Sequence, residues 1–479
     1  MLWHYDVDKV AYLLLSPREG AVVSLFNGKY SLRHLALILE YILDFNDLNA
    51  ARDYLISVIN KINEDFDAIV NMADILAPYV KIYDTLQFIA SSSEGVKQHR
   101  LVYPLSITAM FSNACETNCV YCYANRRIIP PSQQLSTKRW IEIFHEARSL
   151  GIEQVGLTGG DPLFRKDSIT LLGELIKLEM LFLVSTKCHI TREKADHLVD
   201  IGMTQPINQI TREIQLSIDG PDEDTADVLA GSPGYFNRAI DSIKNLTERG
   251  FYFRVKAVLV PFNAPRVYDW IKVMVGLGAT RLSVAAYNRT FYRHHDDLFL
   301  SLDDRKLIEE QCERAKSDFP EMKLQMSGLD PVTTIGKGPA SANKYLGGSS
   351  IEAGSPSFGD KMEEWKKRTH CSGGRSNLTI TPDGKVVLCE TVPQEGIFVV
   401  GDLTTQSIMD VWNSQKLLDF AYPSREKFVG SACYDCDYLS ECLSSLAGYC
   451  FRDSYFNYGN VFERPPQCPF SPDNGMRIG

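Results

Sequence analysis

The stretch from Leu105 to Met326 constrains this chain's fold most, because short apolar runs alternate there with longer amphipathic segments. The runs from Ile107 to Phe111, Gln154 to Leu157, Leu181 to Ser185, Glu213 to Ser217, Phe253 to Val260 and Arg281 to Ala286 read as strands. Helices fill the intervals. Trp140, Ile143, Phe144 and Ala147 stand at i, i+3, i+4 and i+7 between a capping Ser136 and a terminating Gly151, and the segment from Tyr235 to Arg249 stops at Gly250. Six such units in succession imply an α/β fold of parallel strands with helices outside, either an open sheet or a full or partial (β/α) barrel. In each, ligands collect at the C-terminal strand ends.

A length of 479 residues favours two to four domains, and 44% hydrophobic with 23% charged residues argues for globular folding. With 50 Lys and Arg against 60 Asp and Glu, the net charge of −10 offers no global positive field for nucleic acid or anionic lipid. The N-terminus lacks a signal peptide's basic start, and no run reaches the ~18 apolar residues of a membrane span. The expected location is therefore the cytoplasm, with neither nucleic-acid nor membrane partners.

A reducing compartment disfavours disulfides, so the twelve cysteines call for metal, cluster or catalytic chemistry. They stand at 115, 119 and 122, then 188 and 312, then 371, 389, 433, 436, 442, 450 and 468. Cys115, Cys119 and Cys122 form a C-x3-C-x2-C loop directly after the first strand. Three thiolates there can take three corners of a [4Fe-4S] cube, leaving one iron open; zinc remains the alternative. Cys188 and Cys312 read as small buried hydrophobes.

Residues 1–95 read as a separate module. Apolar stretches from Val10 to Leu15 and Val22 to Phe26, parted by Ser16-Pro17-Arg18-Glu19-Gly20, suggest a β-hairpin. A helix capped by Ser31 and another from Ala50 to Ile62 follow. Ser91 to Gly95 reads as a linker into a barrel spanning 96–330, and the Gly, Ser and Pro content of 331–370 as a mobile connection. The tail, 371–479, has seven cysteines and few apolar periods, so metal centres rather than a core of its own are expected to hold it. Two zinc sites, or one zinc plus a free pair, are the bland alternative for this spacing.

The C-x3-C-x2-C loop, its place after the first strand and Tyr121 resemble the radical S-adenosylmethionine (SAM) superfamily. The resemblance implies that the open iron chelates SAM and that Tyr121 meets the adenine. Strand Val155-Gly156-Leu157 runs into Thr158-Gly159-Gly160-Asp161-Pro162, which looks like the family's Gly-Gly-Glu element with Asp161 for Glu, receiving the SAM ammonium. Ser185 and Thr186 end the third strand, and Ser217-Ile218-Asp219-Gly220, ending the fourth, resembles the family's Ser-x-Asp-Gly stretch. Ser185, Thr186, Ser217 and Asp219 are thereby candidate ribose and methionine contacts; helix capping is the bland alternative.

The tail resembles the SPASM domain that follows many such barrels. Gly384 precedes Cys389, and Cys433, Cys436 and Cys442 reproduce C-x2-C-x5-C. The interval to Cys450 is x7 where x3 is usual. The resemblance implies one enclosed cluster on Cys433, Cys436, Cys442 and Cys468, and a second, open one on Cys371, Cys389 and Cys450. With the SAM cluster, that makes three [4Fe-4S] clusters. No cysteine between 313 and 370 closes the open site, and His370, adjacent to Cys371, is awkwardly placed to do so.

The N-terminal module resembles a winged-helix-like element that captures the leader of a precursor peptide as an added strand; a simple capping domain is the alternative. The combined expectation is a partial (β/α)6 radical SAM barrel between a winged-helix-like peptide-recognition domain and a SPASM domain. It would be a maturase forming thioethers in a cysteine-containing precursor peptide with a leader, of the sactipeptide or ranthipeptide type. SAM would yield a 5′-deoxyadenosyl radical, with electrons from a flavodoxin or ferredoxin. No protein general base stands out. Alternatives are carbon–carbon cross-linking, epimerisation, sulfatase maturation, or a cysteine-rich metal- or peptide-binding protein without turnover.

Overall fold

The computed structural model describes residues 2–6, 9–13, 16–26, 30–66, 100–125, 129–206, 211–329, 371–445, 449–465, 468 and 470. The two linkers expected around 91–95 and 331–370, and His370, lie outside them. The chain divides into two units, residues 1–99 and 100–479.

In the first unit, strands β1 (Leu2–Asp6) and β2 (Lys9–Leu13) pair antiparallel. Helices α1 (Pro17–Ser24), α2 (Leu32–Ile42) and α3 (Leu48–Phe66) follow. The hairpin thus lies upstream of its expected place, and the stretch from Val22 to Phe26 is not a strand. What reads as a turn is a helix start: the Ser16 hydroxyl accepts from the Glu19 amide, the Glu19 carboxylate accepts from the Ser16 amide, and Pro17 occupies the first turn. Ser31 caps α2 as expected. Val22, Leu35, Leu39, Leu55, Val58 and Ile62 form this unit's own core.

The second unit is built on a ten-stranded sheet. Seven strands run parallel in chain order: β3 (Ser106–Ser112), β4 (Gln154–Gly159), β5 (Leu181–Thr186), β6 (Glu213–Ser217), β7 (Phe253–Leu259), β8 (Arg281–Ala286) and β9 (Lys323–Ser327). Between them lie α4 (Thr137–Ser149), α5 (Ser168–Lys177), α6 (Arg192–Asp200), α7 (Glu223–Ala230), α8 (Tyr235–Glu248), α9 (Val267–Gly276) and α10 (Leu302–Asp318). Every strand-to-strand interval holds a helix, the arrangement of a partial (β/α)6 barrel. The alternation within strands separates two faces. Val155, Leu157, Val184, Leu216, Val255 and Ala257 are buried, and Trp140 and Phe144 of α4 pack on Phe111 of β3 at 5.2 and 6.2 Å.

The opposite face is polar. At its floor Glu213 accepts from Arg254 at 2.8 and 2.5 Å and meets Arg281 at 3.4 Å, while Arg254 also donates to Gln325 of β9 at 2.9 Å. This buried ion-pair network ties β6 to β9 across the N-terminal strand ends, leaving the other end for ligands.

The tail continues this sheet. Strand β10 (Asn377–Ile380) pairs parallel with β3, from Asn377 opposite Ser106 to Ile380 opposite Ala109. Strands β11 (Lys385–Val387) and β12 (Val399–Asp402) add antiparallel outside it. Gly384, at φ +86°, makes the β10–β11 turn. Leu378, Ile380, Trp412, Phe420 and Phe428 belong to the same core as Ile107 and Phe111. Among the described residues the tail's apolar side chains share the barrel's core, a support that the expectation of metal centres alone did not include. Among the described residues no helix is long and apolar enough to cross a membrane.

Candidate active site

The β3 strand delivers its chain to the C-terminal edge of the sheet, where Cys115, Cys119 and Cys122 follow in one loop. The Thr117 hydroxyl lies 3.9 Å from the Cys115 sulfur and 3.5 Å from that of Cys119. Among the described residues no three His, Cys, Asp or Glu side chains close on a single-ion site. A [4Fe-4S] cube takes thiolates at separate corners, which three cysteines on one short loop can supply. The loop is stitched down by the Asn118 amide to the Ala230 carbonyl at 2.8 Å and the Val120 amide to that of Leu229 at 3.1 Å, and by Glu116, which accepts from the Cys188 thiol and the His189 amide. Cys188 is buried as expected, but its sulfur also accepts from Lys194 at 3.0 Å, so it is a polar tie and not an inert hydrophobe. Cys312 is fully buried on α10.

Gly159 and Gly160 press against the backbone entering this loop. A Cβ on Gly160 would stand 2.2 Å from the Ala114 carbonyl oxygen, and one on Gly159, at φ +118°, 2.6 Å from that of Ser112. The amides of Gly160 and Asp161 donate to the same two carbonyls. No side chain fits between these turns, so the glycine pair fixes the approach of β4's end to the cysteine loop.

Asp161 is 1% exposed. Its carboxylate accepts from the Thr186 hydroxyl at 2.8 and 2.9 Å and from the amides of Lys187 (2.6 Å), Cys188 (2.9 Å) and Leu163 (3.0 Å). Burial pushes its carboxyl up, and these donors oppose the rise. The structure therefore turns both Asp161 and Thr186 toward the protein, where they shape the end of β5. Ser185 lies on the polar face and accepts from Gln215 at 2.9 Å.

Asp219 anchors the next strand end. It accepts from Lys187 at 2.6 Å, from the Val258 amide at 2.8 Å and from the Tyr121 hydroxyl. The Ser217 carbonyl accepts from Lys187 at 2.7 Å and from the Tyr235 hydroxyl. Burial is the largest single influence on Lys187 and opposes its charge, but Asp219 together with the other acidic neighbours holds the ammonium well above its usual range; burial and Asp219 together keep Tyr121 a neutral phenol. The structure thus brings Tyr121, Ser217 and Asp219 together. Lys187, which closes the group, escaped the sequence reading although it follows Thr186 directly.

Glu390 escaped it too. It follows Cys389 and faces Lys256 of β7 and the Thr158 hydroxyl; burial pushes its carboxyl up and the Lys256 ammonium down. Tyr123 of the cysteine loop bonds the same Thr158 hydroxyl. An acid next to a candidate cluster cysteine was the available signal.

In the tail, burial raises the Cys433 thiol to about 12, with Cys468 and Cys442 as neighbours adding to the rise. The Cys436 amide donates to the Cys433 carbonyl at 3.1 Å. Elsewhere the Cys389 sulfur lies 3.2 Å from the Thr391 hydroxyl, which accepts from Arg452 at 3.4 Å. Arg452 pairs with Asp453 at 2.7 Å and has Cys450 and Cys389 as neighbours. Cys450 begins the helix Phe451–Tyr458. Cys371 precedes β10 beside Arg375. Six of the tail's seven cysteines thus fall into a neighbourhood of Cys433, Cys442 and Cys468 with Cys436 alongside, and one containing Cys389 and Cys450, while Cys371 stands beside Arg375.

Residues 110–284 match the radical SAM superfamily, and residues 371–437 match SPASM, an iron-sulfur cluster-binding domain. The PqqA peptide cyclase of Methylocella silvestris is 25% identical over 390 residues, covering 78% of this chain and 90% of the relative. Streptococcus suis SuiB superimposes with a TM-score of 0.60 at 19% identity, over 95% of this chain and 94% of its own. The SuiB complex with precursor peptide SuiA gives 0.58 at 18% identity over 91% and 92%. The thiol-bearing loop, the glycine pair locked against it and the cysteine-rich extension of the same sheet accordingly make this chain a radical SAM enzyme with a SPASM domain, using SAM and iron-sulfur clusters.

Proposed function

We propose that the enzyme is a maturase that joins a cysteine sulfur to a carbon within a ribosomally made precursor peptide. The observation that carries this reading is the odd tail set of seven cysteines. Cys433, Cys436, Cys442 and Cys468 would enclose one cluster, and Cys371, Cys389 and Cys450 would hold another with a corner left for a substrate thiolate. With Cys115, Cys119 and Cys122 the chain would carry three [4Fe-4S] clusters. The names of its relatives, a peptide cyclase and a protein crystallised with a precursor peptide, support a peptide substrate.

When bound, SAM and the first cluster supply a 5′-deoxyadenosyl radical, after electron delivery by a flavodoxin or ferredoxin. The chain's own residues do the positioning. Tyr121 and Asp219, braced by Lys187, present a fixed polar edge for the nucleoside; Gly159 and Gly160 bring β4's backbone up to the cysteine loop. Asp161 and Thr186 serve SAM by setting the β5 end, where Ser185 and Ser217 offer hydroxyls. Residues 1–95, with their hairpin and helices, would capture the leader.

The test is mass spectrometry of a cysteine-containing precursor peptide after anaerobic incubation with enzyme, SAM and reductant. We expect each link to remove two hydrogens and to block one thiol from alkylation. The relatives' name of cyclase fits any ring-closing link, so the second reading is a carbon–carbon link, which would remove the same mass but leave every thiol alkylatable. SAM cleavage with peptide of unchanged mass would refute both.

A further inference from the structure

The segment Tyr287 to Phe299, between β8 and α10, reaches back over the cysteine loop. Arg293 donates from one nitrogen to the carbonyls of Asn118 and Cys119, both at 2.9 Å, and from the other to the Asn118 side-chain carbonyl. All three acceptors are neutral, so the guanidinium brings a positive charge against the backbone at a candidate ligand without neutralising it there.

Both partners are immobilised. The Thr290 hydroxyl bonds the Arg293 carbonyl at 2.9 Å and accepts its amide at 3.3 Å, and the Tyr287 hydroxyl meets the Arg293 carbonyl at 3.4 Å. His294 stacks on Tyr287, and Phe291 packs on Phe456 at 5.0 Å. From the far side Asn118 is gripped by the Ala230 carbonyl and by Gly231, where a Cβ would lie 2.4 Å from the Asn118 oxygen. The charge is therefore held at a fixed place rather than on a swinging surface side chain.

An iron-sulfur cluster bound by three thiolates becomes more negative on reduction, and hydrogen bonds and nearby charges are among the factors that set its potential. We propose that Arg293 is a positioning residue that raises the reduction potential of the cluster on Cys115, Cys119 and Cys122, easing the electron delivery that SAM cleavage requires. This rests on the reading that those cysteines hold the SAM-binding cluster.

The test compares full-length, anaerobically reconstituted wild type, Arg293→Lys and Arg293→Met by iron analysis and by redox titration followed by electron paramagnetic resonance. The cluster in question is identified by the change SAM makes in its signal. We expect Arg293→Met to keep its iron and shift that midpoint to a more negative value, Arg293→Lys to stay near wild type, and SAM cleavage driven by a flavodoxin-strength donor to fall several-fold in the methionine variant. An unshifted midpoint in iron-replete Arg293→Met would overturn the proposal. So would equal loss of iron in both variants, which would make Arg293 a structural clamp whose charge is irrelevant. A wild-type protein with no SAM-responsive signal would instead refute the cluster assignment itself.

Discussion

At the scale of single residues, Asp161 shows how a site residue differs from its family pattern and why the difference fits. Its carboxylate is filled by a hydroxyl and three amides in a space 1% exposed. Asp161→Glu would make the sequence more like the family's yet insert a methylene into a closed hydrogen-bonded packing. We expect it to destabilise the protein by about 1–3 kcal/mol, the usual cost of overpacking, read as a lower urea midpoint with an unchanged slope. The residue types at the strand ends were legible: Tyr121, Ser217 and Asp219 do converge. The direction in which each side chain points was not, because it depends on which neighbouring strand end supplies donors. Lys187 decides that for Asp219, and the amides just beyond β5 decide it for Asp161. Glu390 was missed because its partners Lys256 and Thr158 come from strands far away in sequence.

At the scale of elements, capping and close approach govern. The expected hairpin gave way to α1 because Ser16, Pro17 and Glu19 form a capping box, a signal present in the sequence but competing with the turn reading of Ser, Pro and Gly. Six of the seven parallel strands were legible almost to the residue, since alternation with helices fixes them independently of any partner; β9, short and exposed at the sheet's edge, was not singled out. The junction between β4 and the cysteine loop is set by glycine. We expect Gly160→Ala to push the Ala114 carbonyl from its place 2.2 Å from the new methyl, displacing Cys115. Reconstituted Gly160→Ala protein should then hold less iron than wild type, while far-ultraviolet circular dichroism stays unchanged.

At the scale of the molecule, two cores predict two behaviours. Residues 1–99 carry their own buried set around Leu39 and Leu55, whereas barrel and tail share one. A protein beginning at Arg100 should fold, bind clusters and cleave SAM, yet lose leader-dependent modification of the peptide. Loss of SAM cleavage as well would argue that the first unit only supports the barrel. The union of barrel and tail was only half visible in sequence. The tail's poverty in apolar periods showed that it needed support, but nothing local announces that β10 pairs with β3, because the hydrogen-bond donors and acceptors of any strand edge are alike.

That pairing also orders events during biosynthesis. Asn377 bonds Ser106 across a separation of 271 residues, so at about 5–20 residues per second the edge of β3 waits roughly 15–55 s on the ribosome for its neighbour. Until then the strand that leads into Cys115 is an open template for mispairing with other chains. A nascent chain stalled before residue 377 would keep that edge open and be a candidate for chaperone capture.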